Sequence, residues 1–366
     1  MGCRCGIVGL PNVGKSTLFN ALTNTMNAEA ADFPFCTIEP NVGIVSIPDE
    51  RLQKIADISC SAEVKPSRMK FVDIAGLVKG ASRGDGLGNK FLGNIREVDT
   101  IVHVVRCFQN DDITHVSGEI SPLSDIDTIE TELMLADLDS AERQLANLQK
   151  ARNPDPDKDT RIALLEKALV LLRDGRMLRS VIGADEDGYG IWKSLQFLTA
   201  KPVMFVCNVS DEDASDGNDF VKQVSGLASE RGNRCITISA QIECEIANIP
   251  DISERKEFLY SLGLSQSGLD LMISESFSLL NLITYFTSGP KETRSWVIPK
   301  GFCAAQAAGV IHSDFERGFI RAETISYDNF ISYHGEVRAK ENGKMRLEGK
   351  DYIVQDGDVM HFRFSV

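Results

Sequence analysis

The sequence has no surplus of positive charge: 39 Lys and Arg stand against 53 Asp and Glu, a formal net charge of −14. Bulk attraction to nucleic acid or anionic lipid therefore cannot drive its associations. The deficit is uneven. Residues 291–366 carry 11 Lys and Arg and 11 Asp and Glu, so the excess acid lies in residues 1–290. There is no run of 18 apolar residues, so no transmembrane helix and no membrane partner are expected. The N-terminus enters a strand-like run by Arg4, so no signal peptide is expected. There is also no C-x-x-C pair. The 9 cysteines are scattered and odd in number, which argues against a disulfide framework. Reduced core thiols in a cytoplasmic protein are the expectation.

What is present is a regular alternation. Apolar runs at Arg4–Val8, Val42–Ser46, Met69–Asp73, Thr100–Arg106, Val203–Cys207 and Cys235–Ser239 are separated by helical stretches. Short apolar runs alternating with helices predict an α/β fold with a mostly parallel sheet and helices on both faces. Between about 125 and 200 the alternation stops. Ala141, Leu145 and Leu148 continue the 3, 4, 3 spacing begun at Leu138, and Ile162, Leu165, Leu169 and Leu172 repeat it. The segment Asn153–Asp159 between them holds two prolines, which cannot continue a helix. The pattern predicts an inserted antiparallel helical coiled-coil hairpin, with its charges on a solvated face. From about Thr293 short β-rich runs dominate: Ser295–Ile298, Phe319–Ile325, Tyr352–Val354 and Val359–Phe364. With one short helix at Gly301–Gly309 they predict a small α+β domain. The expected division is 1–124 with 201–285, then 125–200, then 286–366.

Residues 9–16, Gly-Leu-Pro-Asn-Val-Gly-Lys-Ser, carry the most chemistry. They form the G-x-x-x-x-G-K-[ST] phosphate loop, placed after a strand and before a helix. Glycines let the backbone wrap closely, so its N–H groups point at an anion, and the helix N-terminus adds its dipole. Asn12, Val13, Gly14, Lys15, Ser16 and Thr17 are the expected phosphate contacts. Lys15 would reach the β- and γ-phosphates, and the Ser16 hydroxyl would ligate Mg²⁺.

A phosphate loop alone does not say what the nucleotide is for. Asp73-Ile-Ala-Gly76 closes the third strand as D-x-x-G. Asp73 would hold Mg²⁺ through water, and the Gly76 N–H would sense the γ-phosphate. Thr37, upstream in the loop before the run Val42–Ser46, is the candidate third metal group. Together these predict a switching NTPase whose loops are held by the γ-phosphate and released on hydrolysis. Residue 77 is leucine, which cannot orient the attacking water as the glutamine of Ras-like enzymes does. His115 is a candidate replacement, with Lys79, Arg83 and Arg96 as other donors.

The base-reading segment departs from the guanine pattern Asn-Lys-x-Asp. Here Asn208-Val209-Ser210-Asp211 stands, and Ser239-Ala240-Gln241 occupies the place of Ser-Ala-Lys. Asn208 can pair with an adenine-like edge, whereas Asp211 prefers guanine's donors, so these residues alone leave ATP and GTP open.

The motifs resemble a known family. Gly9–Asn20, Asp32–Asn41 and Asp73–Ser82 look like the Obg-like P-loop NTPases, and Ala305–Arg321 with Leu347–Phe362 resembles the YchF/Obg-like ATPase subfamily. The resemblance implies a G domain, an inserted coiled coil and a C-terminal TGS (ubiquitin-like) domain. It further implies ATP hydrolysis in preference to GTP, a hydrophobic residue after D-x-x-G, and a ribosome partner in translation and stress responses. This chain departs at Asp211, where the subfamily has glutamate; Glu212 follows. RNA contact through the TGS segment is compatible with its Arg338, Lys340, Lys344, Arg346 and Lys350. The rivals are a GTP-specific switch, a P-loop kinase, and a non-hydrolysing scaffold that only holds its nucleotide. No small-molecule acceptor is expected.

Overall fold

The apolar run after Arg4 forms the centre of a parallel sheet. In this computed structural model residues 3–30, 41–74, 87–110, 120–150, 156–181 and 189–365 are described. They divide into two compact units, Cys3–Val45 with Lys70–Ser276 and Ser46–Met69 with Phe277–Val366.

The first unit is built on β1 (Arg4–Val8), β2 (Val42–Ser46), β4 (Arg68–Asp73), β5 (Thr100–Arg106), β6 (Val203–Asn208) and β7 (Arg234–Ile238), in the order β2-β4-β1-β5-β6-β7. β1 pairs parallel with β4 and β5, and the parallel ladder continues through β6 to β7. Every residue of β5 and of β6 is buried. Strands covered on both faces are mostly apolar, which is why they stand out in the sequence, although β5 also buries Thr100, His103 and Arg106. Parallel pairing puts all their carboxyl ends on one edge, where ligands bind in such sheets.

Helix Pro122–Lys150 and helix Lys158–Arg173 pack against one another. Their seam holds Ala141, Leu165, Ala168, Leu169 and Leu172, closed by Trp192 and Phe197. Arg173 pairs with Glu142 at 2.9 Å. The charges of the first helix are not all on a solvated face, contrary to the expectation. Asp125, Glu130 and Asp137 are buried. Glu130 lies between Arg179 and Arg231. Asp137 accepts from Leu198 N (2.9 Å), Thr199 N (2.8 Å) and the Thr199 hydroxyl (2.7 Å). Buried carboxylates persist only with such partners, and a periodicity of apolar residues gives no sign of them.

The second unit carries a sheet of β3 (Glu63–Lys65), β8 (Leu282–Thr287), β9 (Glu292–Pro299), β10 (Phe319–Ser326), β11 (Arg346–Glu348) and β12 (Asp358–Phe364), ordered β11-β10-β12-β8-β9-β3. Tyr285 and Phe286 are both fully buried, on opposite faces of β8. Tyr285 packs with the small residues Ala304, Ala307 and Ala308 of helix Ala304–Ile311. Phe286 packs with Leu52 and Ile55 of helix Glu50–Ser59 and with Phe330 and Ala339. Residues 46–69, grouped with the first domain by the sequence reading, thus supply both an edge strand and a covering helix here. β3 pairs with β9, Ser67 N donates to Ser295 Oγ at 2.7 Å, and Arg51 meets Asp356 at 2.6 Å. Tyr352–Val354, expected as a strand, contributes a single bridge between Ile353 and Cys303.

Candidate functional site

The phosphate loop leaves β1 at Gly9 and enters helix Lys15–Ala30. A Cβ at Gly9 would lie 2.7 Å from the Val104 carbonyl oxygen, so the loop can cross β5 only as glycine. Gly14 has φ +89°, a left-handed conformation, and a Cβ there would lie 2.1 Å from Asn208 Nδ2. Asn12 is also left-handed, at φ 63°. Lys15 is 8% exposed. Its ammonium pairs with the Asp73 carboxylate at the end of β4. Ser16 and Thr17, one and two residues on, are exposed at the helix start.

These residues line a cleft of about 1440 Å³ at the carboxyl edge of the sheet. Leu10 to Thr17 form its phosphate side. Val209 to Asp213, Asn218 to Phe220, Ala240 and Gln241 form the opposite side, and Phe108, Gln109 and Asn110 a third wall. Asp211, Glu212, Asp213 and Asp219 put four carboxylates on the lining.

Asn208 lines the cleft and also has two backbone partners. It is buried at the end of β6. Its Nδ2 donates to the Val13 carbonyl at 2.9 Å, and its Oδ1 accepts from Ala240 N at 3.0 Å. The side chain braces the phosphate loop against the start of helix Ala240–Ala247. Ser239 is likewise turned inward. Its hydroxyl donates to Asp211 Oδ1 at 2.5 Å and caps that helix by accepting from Ile242 N at 3.3 Å. Val209 is buried and its N–H donates to the Ile238 carbonyl, while Gln241 is exposed on the cleft. Asp211 is exposed there too, with its carboxylate held in place by Ser239.

Thr37, Gly76 and His115 lie outside the described residues, as do Leu77, Lys79 and Arg83. Arg96 is described and is at the wrong edge. It ends helix Leu87–Arg96, which runs into the amino end of β5, opposite the phosphate loop.

Sequence reasoning missed the third wall. Asn218 Nδ2 donates to the Cys107 carbonyl (2.7 Å) and to Asp213 Oδ2 (2.8 Å), which Ser210 also contacts. Arg106 sits behind Phe108. Both aromatics of the cleft, Phe108 and Phe220, follow strand ends or loop turns with no motif to mark them.

Among the described residues no group of three His, Cys, Asp or Glu could hold a metal ion. The Ser16 hydroxyl and the Asp73 carboxylate are hard oxygen donors that suit Mg²⁺, which takes one or two carboxylates and completes its shell with phosphates and water.

Two family models match the chain: a 50S ribosome-binding GTPase over residues 4–137, and a YchF-GTPase C-terminal model, described as a protein of unknown function, over residues 282–365. The chain is 57% identical over 367 residues to the ribosome-binding ATPase YchF of Pasteurella multocida, with all of both chains covered. It is 50% identical over 369 residues to the protein of the same name in Bacillus subtilis, again at full coverage. Among solved structures, the Schizosaccharomyces pombe YchF GTPase superposes with a TM-score of 0.88 at 36% identity, covering 99% of this chain and 98% of that one.

Proposed function

The chain belongs to the YchF family of P-loop NTPases, and on that premise we propose that it is a Mg²⁺-dependent ATPase switch that associates with the ribosome. One observation carries the hydrolase reading. The buried Lys15 ammonium and the Asp73 carboxylate meet at the mouth of a glycine-formed loop, beside the exposed Ser16 hydroxyl. A cation for phosphate and two oxygens for a metal converge in one place. Bound phosphates would draw the pair apart, with Lys15 turning to the β- and γ-oxygens and Asp73 to the metal side. Mg²⁺, when bound, neutralises charge developing on the phosphates. Thr37 and Gly76 complete the switch, and His115 orients the attacking water in place of the glutamine that Leu77 displaces. His115→Ala, with nucleotide still bound, is expected to lower turnover; unchanged turnover removes His115 from the reaction.

ATP is favoured by the relatives named as ATPases and by Val209, which replaces the lysine that packs on guanine. A second reading, GTP, is favoured by Asp211, whose carboxylate Ser239 holds at the base end of the cleft. Titration of non-hydrolysable ATP and GTP analogues with Mg²⁺ separates them. Tighter ATP binding is expected; GTP bound about tenfold more tightly overturns the ATPase reading. Multiple-turnover phosphate release that Lys15→Ala abolishes is expected, and it excludes the scaffold. Release that requires an acceptor would instead mean a kinase.

The ribosome partner comes from the names of the relatives. Contact with ribosomal RNA is assigned to the C-terminal unit, where Arg338, Lys340, Lys344 and Lys350 are exposed. Arg346 is committed to Asp358 and Tyr352. Alanine at the four exposed positions is expected to weaken co-sedimentation with ribosomes and flatten its salt dependence. Among the described residues no helix is long and apolar enough to cross a membrane.

A further inference from the structure

Phe108, Gln109 and Asn110 form one wall of the nucleotide cleft, and a single buried cation shapes it. Arg106, the last residue of β5, is 1% exposed. A guanidinium is not buried without polar partners. Its Nε donates to the Phe108 carbonyl at 3.3 Å, and its Nη2 to the Asn110 carbonyl at 3.2 Å. Its Cζ stands 4.7 Å from the centroid of the Phe108 ring. One planar fork therefore fixes two carbonyls and the ring of the same wall, which a lysine ammonium cannot do. The wall is tied down at its root as well. Cys107 N donates to the Asn208 carbonyl at 2.8 Å, and the Cys107 carbonyl accepts from Asn218 Nδ2 at 2.7 Å. Burial lowers the guanidinium's pKa, and the field of Asp125, in the first turn of helix Pro122–Lys150, opposes that shift.

We infer that Arg106 is a positioning residue for the nucleotide base: from behind the wall it sets Phe108 against the base and so raises affinity for the nucleoside, without touching the phosphates. This rests on the reading of the cleft as an ATP site. A wall already fixed loses little freedom when the base arrives, and the gain appears as affinity rather than rate. The phosphate contacts belong to a separate part of the cleft lining, Leu10 to Thr17.

The test separates base from phosphates. ATP and inorganic tripolyphosphate are titrated with Mg²⁺ against wild type, Arg106→Lys, Phe108→Leu and the double variant, and KM and kcat for ATP are measured alongside. Arg106→Lys is expected to weaken ATP and raise its KM about tenfold, while tripolyphosphate affinity and kcat stay within about twofold. Phe108→Leu should do the same. The double variant should be no weaker than the poorer single one, because both act through one ring. Equal weakening of ATP and tripolyphosphate, unchanged ATP affinity, or additive losses each overturn the assignment. Arg106→Gln, neutral and still a donor, gives the same readout if the lysine variant does not fold; unfolding of both assigns Arg106 to stability and overturns it too. The wild-type titration tests the reading beneath. If wild type binds ATP no tighter than tripolyphosphate, the base pocket itself falls, whereas a base-dependent gain that Arg106→Lys leaves intact removes Arg106 alone.

Discussion

Asn208 Nδ2 donates to the Val13 carbonyl at 2.9 Å, joining the end of β6 to the phosphate loop. Its Oδ1 takes the Ala240 N–H, so one side chain closes two backbone groups that are otherwise unpaired in the interior. Asn208→Ala is expected to cost about 2–4 kcal/mol of stability, read by urea unfolding. It should weaken ATP, GTP and tripolyphosphate in parallel. A loss confined to one base would return Asn208 to base recognition.

Gly14 lies directly against the same amide. A Cβ there would meet Asn208 Nδ2 at 2.1 Å, and φ +89° is unfavourable for any L side chain. Strain and overpacking together are on the order of 3 kcal/mol. Gly14→Ala should abolish triphosphate binding in a fluorescent-analogue titration. Retained affinity would mean that the loop and Asn208 can move apart freely.

Glu130 is a buried anion between two cations, Arg179 and Arg231. Its removal leaves Arg179, whose side chain is 10% exposed, without its carboxylate. Glu130→Ala is expected to lower stability by about 3–5 kcal/mol. Asp139→Ala, which breaks the exposed pair with Arg143 on the same helix, should lower it by well under about 1 kcal/mol. Chemical denaturation of both variants checks the contrast.

Glu243 accepts from Gly268 N at 2.7 Å and Leu269 N at 3.1 Å, at the start of helix Gly268–Leu279. Burial nonetheless pushes its carboxyl up from 4.5 to about 7; the two N–H groups oppose the shift, and nearby Asp270 adds to it. Between those two values the folded chain keeps a proton that the unfolded chain releases. Stability therefore falls as pH rises from about 4.5 to about 7, by at most about 3 kcal/mol from this group. Glu243→Gln should remove that part of the slope from melting temperatures measured across the window. An unchanged slope would place the proton elsewhere.

The parts legible in the sequence are those whose signal is local. Strands buried on both faces, such as β5 and β6, appear as largely apolar runs, and their expected bounds agree with the structure to within a residue. The helical pair showed itself through its leucine spacing. β8 did not, although Tyr285 and Phe286 are fully buried, because only Leu280 and Asn281, the latter at φ 51°, separate Leu-Ile-Thr-Tyr-Phe-Thr from helix Gly268–Leu279. Helix Glu50–Ser59 was hidden differently. Its pattern is plain, but nothing in it says that Leu52 and Ile55 pack on Phe286. Asn208 was legible as a site residue, but its bonds to Val13 and Ala240 were not, since an amide suits a base edge and a backbone equally well.

By itself the sequence determined the phosphate loop, Lys15 and Ser16 within it, Asp73 at a strand end, and the family. That chemistry is contiguous, and its glycines and turns are required by local backbone geometry. The tertiary structure decided which side chains serve the site from behind. Arg106 under Phe108, Asn208 under Val13 and Ser239 on Asp211 are set by the strand register and helix packing that bring distant segments together. A buried polar group must find a partner, but only the folded chain determines which one.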